Sequence, residues 1–311
     1  PSNLPDAMAA GVVDQAAFDQ RIGPLIESDT WIAKWSKQLL ADSGDALAQT
    51  CRGNRLNELG QVDLALYDHL EAVRKQPRLA VAWSNLGHSY ENLKQSDKAI
   101  DAYTKAIELE PHDSVYRLNR ARTLQQLNRF EESLADLNVA IGLPSKDIWV
   151  LATRADVLVA LNRDDEALRD LTEAAGLDPS NPVGWVLRAQ YYVGHNLPEE
   201  AISDYSTALQ LSPATSVWRS DRARCLMQLN RFAEAIIDLN EALRTEPGRA
   251  HWLQQRGTAY LKSNMREKAI SDFAAARRID MSIAVPAEIL NEVQATEGEV
   301  RVLSQQNVPI V

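Results

Sequence analysis

Ala72, Ala106, Ala140, Ala174, Ala208, Ala242 and Ala276 stand at a constant interval of 34 residues. Nothing else in the 311-residue chain restricts its fold so tightly, because a period of this length means one supersecondary unit stacked on copies of itself. With units starting at Ala46, Ala80, Ser114, Ile148, Pro182, Ser216 and Ala250, that alanine takes the twenty-seventh place. The eighth place is also small throughout: Gly53, Gly87, Ala121, Ala155, Ala189, Ala223 and Gly257. So is the twentieth: Ala65, Ala99, Ser133, Ala167, Ala201, Ala235 and Ala269. Small residues at fixed places let two helices bring their backbones together, where larger side chains would overpack by about 1 to 3 kcal/mol.

Large groups fill the space between them. Trp83 and Trp185 take the fourth place, Tyr90, Tyr192 and Tyr260 the eleventh, and Tyr103, Tyr205 and Phe273 the twenty-fourth. Pro77, Pro111, Pro179, Pro213 and Pro247 close most units, where a second helix must stop. The fifteenth place holds Gly60, Asn128, Asn162, Asn196, Asn230 and Asn264, the residue types that adopt the left-handed conformation ending a helix. Lys94 breaks this pattern, and a strained or differently built cap is expected there.

A second periodicity is electrostatic. Arg52, Arg120, Arg154, Arg188, Arg222 and Arg256 occupy the seventh place, and Asp68, Asp136, Asp170, Asp204, Asp238 and Asp272 the twenty-third. The second unit lacks both, with Leu86 and Ala102 instead. That joint absence predicts pairing within a unit, as structural struts and not as a phosphate-binding rail.

The run Trp83, Leu86, Gly87, Tyr90, Ala99, Tyr103, Ala106 and Pro111, with its six echoes, resembles the tetratricopeptide repeat family over about residues 46–283. The resemblance implies an all-α, right-handed α-solenoid of helix-turn-helix units at 46–79, 80–113, 114–147, 148–181, 182–215, 216–249 and 250–283. Residues 1–45 then form an N-terminal cap, in which Asp29 or Thr30 starts a helix with Trp31, Trp35 and Leu39 on one stripe. That stripe is expected to lie over the first unit as a lid, with a docking site as the alternative. In residues 284–311 a capping helix carries Ile289, Leu290 and Val293, and the tail "EVRVLSQQNVPIV" is read either as loose or as pairing with another chain.

In the resembled family the concave groove is lined by the second, fifth, sixth, ninth and twelfth residues of each first helix. Carried over, the ninth place gives Asn54, His88, Arg122, Asp156, Gln190, Arg224 and Thr258, and the sixth gives Cys51, Asn85, Asn119, Thr153, Leu187, Asp221 and Gln255. The twelfth changes along the chain, from Asn57, Glu91 and Gln125 to Val159, Val193, Met227 and Leu261. With Trp149, Val183, Val186 and Val217, this predicts a groove polar in its N-terminal half and apolar in its C-terminal half, the alternative being that the apolar twelfth-place residues pack under a neighbouring helix or the C-terminal tail. Family members that grip a partner's C-terminal carboxylate use two lysines, two asparagines and an arginine. The matching places here hold Thr50, Asn54, Asn85, Val115 and Asn119, so every cation is missing and that mode is not expected. Asn85 and Asn119 are also similar to two rungs of the asparagine ladder in sugar-transferase members.

A net charge of -10 works against nucleic acid or anionic lipid as the main partner, and no apolar run is long enough to span a membrane. The five histidines His69, His88, His112, His195 and His251 show no metal-ligand spacing, and no cofactor is implied. Cys51 and Cys225 fall in distant units and do not make a disulfide framework. The reading is therefore a non-enzymatic interaction scaffold or adaptor that binds a peptide or protein segment in its groove. The alternatives are the regulatory or targeting portion of a larger enzyme, and a protein that self-assembles through its terminal segments. Compartment stays open: a cytoplasmic location is the default, and an exported form follows if a leader preceded Pro1.

Overall fold

The computed structural model describes residues 13–144 and 146–296, which form helices joined by short turns and contain no strand. Two helices come first, α1 (Gln15–Ser28) and α2 (Thr30–Ala41). Seven pairs follow: α3 (Ala46–Glu58) and α4 (Val62–Lys75), α5 (Ala80–Asn92) and α6 (Ser96–Leu109), α7 (Ser114–Gln126) and α8 (Phe130–Ile141), α9 (Ile148–Ala160) and α10 (Asp164–Leu177). The last three pairs are α11 (Pro182–Gly194) and α12 (Pro198–Leu211), α13 (Ser216–Gln228) and α14 (Phe232–Thr245), α15 (Ala250–Lys262) and α16 (Arg266–Ile279). A 3-10 turn at Ala287–Ile289 leads into helical residues 290–296. The chain divides into two compact units, Pro1–Asp170 and Leu171–Val311.

Every first helix ends in the same left-handed cap. Gly60 has φ 73°, and Asn128, Asn162, Asn196, Asn230 and Asn264 have φ of 57° to 60°. The next N–H then reaches back to the eleventh-place carbonyl, as from Gln61 to Leu56 at 2.8 Å and from Arg129 to Leu124 at 2.9 Å. Lys94 adopts φ 60° and Gln95 donates to Tyr90 at 2.9 Å, so the cap there is not differently built. It is the same turn, made by a residue whose Cβ is crowded in that conformation.

The small places are where the helices of a pair meet. Ala65, Ala99, Ala201, Ala235 and Ala269 are wholly buried. A methyl group added at Gly87 would lie 2.7 Å from the Tyr103 ring, and one at Gly257 would lie 3.0 Å from Phe273. In the first pair the ring facing Gly53 belongs to His69, which is wholly buried. Its Nε2 lies 3.3 Å from the Thr50 carbonyl, an acceptor, so Nε2 carries the proton and the Nδ1 of the neutral ring accepts from the Ser89 hydroxyl at 2.8 Å. Ser89 in turn accepts from Asn57 Nδ2 at 3.0 Å. The chain of donors runs in one direction, and burial pushes the His69 pKa down to about 4.

The arginines and aspartates pair within a unit, as their joint absence foretold. Each arginine grips its aspartate through Nε and Nη2, for example Arg120 to Asp136 at 2.7 and 2.6 Å and Arg188 to Asp204 at 2.8 and 2.8 Å. The remaining Nη1 crosses to the second helix before it: Arg52 to Ser36 (3.1 Å), Arg120 to Thr104 (2.8 Å), Arg154 to Asn138 (2.8 Å), Arg188 to Thr172 (3.4 Å), Arg222 to Ser206 (2.9 Å) and Arg256 to Asn240 (2.8 Å). One planar guanidinium thus joins three helices, which a lysine ammonium could not do with the same fork.

The terminal caps differ from expectation at one end. Asp29 caps α2, accepting from Trp31 and Ile32 N–H groups at 2.9 Å each. The buried face of that helix, however, is Ile32 and Ser36, while Trp31 is 53% exposed and Trp35 and Leu39 are half-buried. The tryptophan stripe is therefore not the lid: Arg52 needs the Ser36 hydroxyl inside, and this rotates the indoles outward. Phe18 and Ile22 of α1 complete the cap by packing with Ile32, Leu56 and Leu64, and Phe18 stacks on Tyr67 at 4.5 Å. At the other end Ile283, Ile289 and Val293 join the core of α15 and α16, with Leu290 half-buried. Arg266 clamps this turn through the Glu292 carboxylate and the Glu288 carbonyl. The tail beyond 296 lies outside the described residues.

Candidate functional site: the face of the first helices

Residues at the start and on one side of each first helix carry the side chains assigned to recognition. In the unit that ends at Asp170 the helices are α3, α5, α7 and α9. Neighbouring first helices touch through the twelfth and tenth places, with Asn57 donating to Ser89 and Thr123 donating to Glu91. Glu91 also accepts from Tyr103 at 2.7 Å and lies 3.5 Å from His88 Nδ1. Burial pushes the Glu91 carboxyl up, but its bonds to His88, Thr123 and Tyr103 outweigh this and hold it below the ordinary value. The same contact raises His88, which is exposed. Arg122 Nε reaches the Thr153 hydroxyl at 3.3 Å, from one ninth place to the next sixth place.

Asn54, Asn85 and Asn119 are half-buried on this side, and Asp156 and Trp149 are exposed. The Asp156 carboxyl is crowded by its neighbours, and this desolvation raises its pKa against the pull of Arg122. In the unit that begins at Leu171 the first helices are α11, α13 and α15. Gln190 and Arg224 are exposed there, and Gln255 accepts from Ser220 at 3.0 Å. Arg224 pairs with Asp221 at 3.0 Å, and burial raises the Asp221 pKa with Arg224 opposing.

Two sequence expectations need correction. Val186 is only 7% exposed and sits in a core cluster with Ala189 and Tyr205, so it offers nothing to a partner. Val159, Val193, Met227 and Leu261 are half-buried, not exposed: Val193 packs on the core of α11 and α12, and Met227 and Leu261 on that of α13 to α16. At Asn57 and Glu91 the twelfth place meets the next first helix, and Val193, Met227 and Leu261 pack on cores instead of standing free for a partner.

The exposed apolar groups are at the second place instead. Leu47 is 56% exposed, Val115 46%, Trp149 46% and Val217 48%. This place reads Leu47, Val81, Val115, Trp149, Val183, Val217 and His251, apolar in all units but the last. Leu47 and Val81 escaped the sequence reading, and Val115 entered it only as a missing cation, although the periodicity that reveals them is the one used throughout. Apolar exposed side chains therefore begin in the first pair, and a polar N-terminal half is not what the side chains present.

Architecture and face together define a class: an all-α protein of stacked helical hairpins whose first helices leave an apolar row uncovered. Models of the tetratricopeptide repeat match residues 80–113, 152–214 and 192–257. The chain carries tetratricopeptide repeats over these residues. Among solved structures it is similar to yeast Tom70, at 17% identity and TM-score 0.61 over 88% of this chain and 58% of that one. It is similar to Cut9 in its complex with Hcn1 from the APC/C, at 17% identity and TM-score 0.55 over 84% of this chain and 52% of that one. A tetratricopeptide repeat protein from Parabacteroides merdae is 18% identical, with TM-score 0.54 over 81% of this chain and 98% of that one. The chain thus spans about half the length of the Cut9 structure. At these identities the likeness is one of fold. The comparison with curated proteins gives no match. No helix among the described residues is long and apolar enough to cross a membrane.

Proposed function

We propose that this protein is a non-enzymatic scaffold whose first-helix face binds a peptide or protein segment with a partly apolar surface. The observation that carries this reading is the row at the second place. In the unit that ends at Asp170, Leu47, Val115 and Trp149 there are each close to half exposed, Val217 repeats the feature in the other unit, and exposed apolar groups in register mark interaction surfaces. Beside them, Asn54, Asn85, Asn119, Gln190 and Gln255 supply donors and acceptors for a partner's main chain. His88, Arg122, Asp156, Asp221 and Arg224 add charges of both signs, which suits a partner of mixed composition more than an anionic tail. Cut9 joined with Hcn1 in a solved complex is in keeping with a partner-holding role for such a fold.

The test is affinity capture from native extract with the wild-type chain and a Val115→Glu/Trp149→Glu variant. Both side chains already face solvent, so helicity and melting temperature should be unchanged while the captured partner is lost. Equal capture by both proteins refutes the reading.

A further inference from the structure

The helix α2 stands in the register of a second helix that has no first helix of its own. Ser36 lies sixteen residues before Arg52 and accepts its Nη1 at 3.1 Å, as Thr104 accepts from Arg120 and Asn138 from Arg154. This fixes Ser36 at the twenty-fifth place and puts Trp31 and Trp35 at the twentieth and twenty-fourth. In the second pair the same places are Ala99 and Tyr103, both wholly buried under α5. No described helix covers Trp31 and Trp35 in that way, because α1 turns its Phe18 toward Tyr67 and Arg52 instead.

An open site of about 360 Å³ results, lined by Trp31, Trp35, Cys51, Asn54, Arg55 and Glu58. Its α3 wall holds the sixth and tenth places, which in later helices meet the preceding first helix: Ser89 meets Asn57, Thr123 meets Glu91 and Thr153 meets Arg122. At the corresponding tenth place Arg55 turns to Asp29 at 2.7 Å and Glu58 at 2.8 Å. Beside the α2 wall stands Lys34, a cation in a chain of net charge -10, while Glu58 on the α3 wall is paired with Arg55. The Lys34 ammonium lies 4.5 Å from the Trp35 ring and 5.1 Å from Trp31.

We propose that this site docks an amphipathic α-helix of a partner protein, laid against α2 and α3 as each first helix lies between a second helix and the next first helix. The pairs within each compact unit of the same chain show what this position accepts. Trp31 replaces an alanine or serine, so the docking helix must present glycine or alanine where it crosses the indoles. Its flank is acidic, to complement Lys34. This goes beyond the second-place row and is independent of it.

Cys51 reports on the site directly, since it lines the cavity while Cys225 is wholly buried. The experiment measures the rate at which Cys51 of the full chain reacts with a thiol reagent. The probes are two 15-residue helical peptides, one with an alanine-glycine stripe, leucines and a glutamate flank, the other with lysines for the glutamates. The glutamate peptide should slow labelling about tenfold or more, saturably, and the lysine peptide less than twofold. Trp31→Ala and Lys34→Glu, both on exposed positions, should each abolish the effect, while Val115→Glu/Trp149→Glu should leave it intact. No slowing, or equal slowing by both peptides, overturns the proposal. So does protection in the free chain that is relieved by deleting residues 1–12, which assigns the site to the chain's own segment. Protection that grows with protein concentration alone assigns it to a second copy and overturns it as well.

Discussion

Arg154 donates Nη1 to the Asn138 side-chain oxygen at 2.8 Å, linking α9 to the second helix of the pair before it. The twenty-fifth place holds such an acceptor wherever an arginine follows: Ser36, Thr104, Asn138, Thr172, Ser206 and Asn240. Where the second pair has Leu86 for arginine, the facing residue is Leu70 and the aspartate is replaced by Ala102. The chain thus contains its own apolar version of the strut.

Removing one member of a strut should cost far more than removing all three. Asp204 is almost completely buried, so Asp204→Ala leaves the Arg188 charge without its partner and should destabilise by about 3 to 5 kcal/mol. The triple change Thr172→Leu/Arg188→Leu/Asp204→Ala, which copies the apolar set Leu70, Leu86 and Ala102, should recover most of that loss. Urea unfolding of the unit's transition measures both, and a triple variant as unstable as the single one contradicts the account.

Lys94→Asn should stabilise the second pair. Lysine at φ 60° carries a steric cost that asparagine and glycine largely avoid, and five of the other caps already use asparagine. A gain of about 1 kcal/mol is expected, read as a higher denaturation midpoint with an unchanged m-value.

His69 makes stability depend on acid. Its ordinary pKa of 6.5 applies in the unfolded chain, whereas burial lowers it to about 4 in the fold. Between these values the unfolded chain binds a proton that the native chain refuses, so stability falls as pH drops through 6.5 toward 4. The cumulative loss is about 3 kcal/mol, from ~1.4 kcal/mol per pKa unit. His69→Phe, which copies the Phe273 ring opposite Gly257, should flatten the pH dependence in that window relative to wild type. Parallel curves for the two proteins would show that His69 does not carry it.

Two glycines should respond to alanine with opposite signs. A methyl at Gly184 would lie 2.7 Å from the Ala175 Cα and 2.8 Å from the Ala174 carbonyl oxygen, both backbone atoms that cannot swing away. Gly184→Ala should cost about 2 kcal/mol even after the gain in helix propensity. Gly176, in the last turn of α10, has open space around it, and Gly176→Ala should stabilise by about 0.5 to 1 kcal/mol. Thermal melts of the two variants test the pair together.

The sequence by itself determined the helix ends, the close helix contacts and the charged pairs, whose causes are local or periodic. Helix ends follow from glycine, asparagine and proline at fixed places. Close helix contacts follow from alanine, and the arginine–aspartate pairs follow from an absence shared by two places. What the tertiary structure decided is how far each neighbour covers a side chain. The family resemblance puts the twelfth place, and with it Val193 and Met227, in the groove, but both side chains pack on neighbouring cores and are half-buried. The acceptor at the twenty-fifth place escaped notice because threonine, serine and asparagine look unrelated until a guanidinium points at all of them. Trp31 and Trp35 make the same point from the other side. Their stripe is the more hydrophobic, yet the Ser36 bond to Arg52 chooses which face turns inward, since a buried guanidinium left short of an acceptor costs more than an indole left in water.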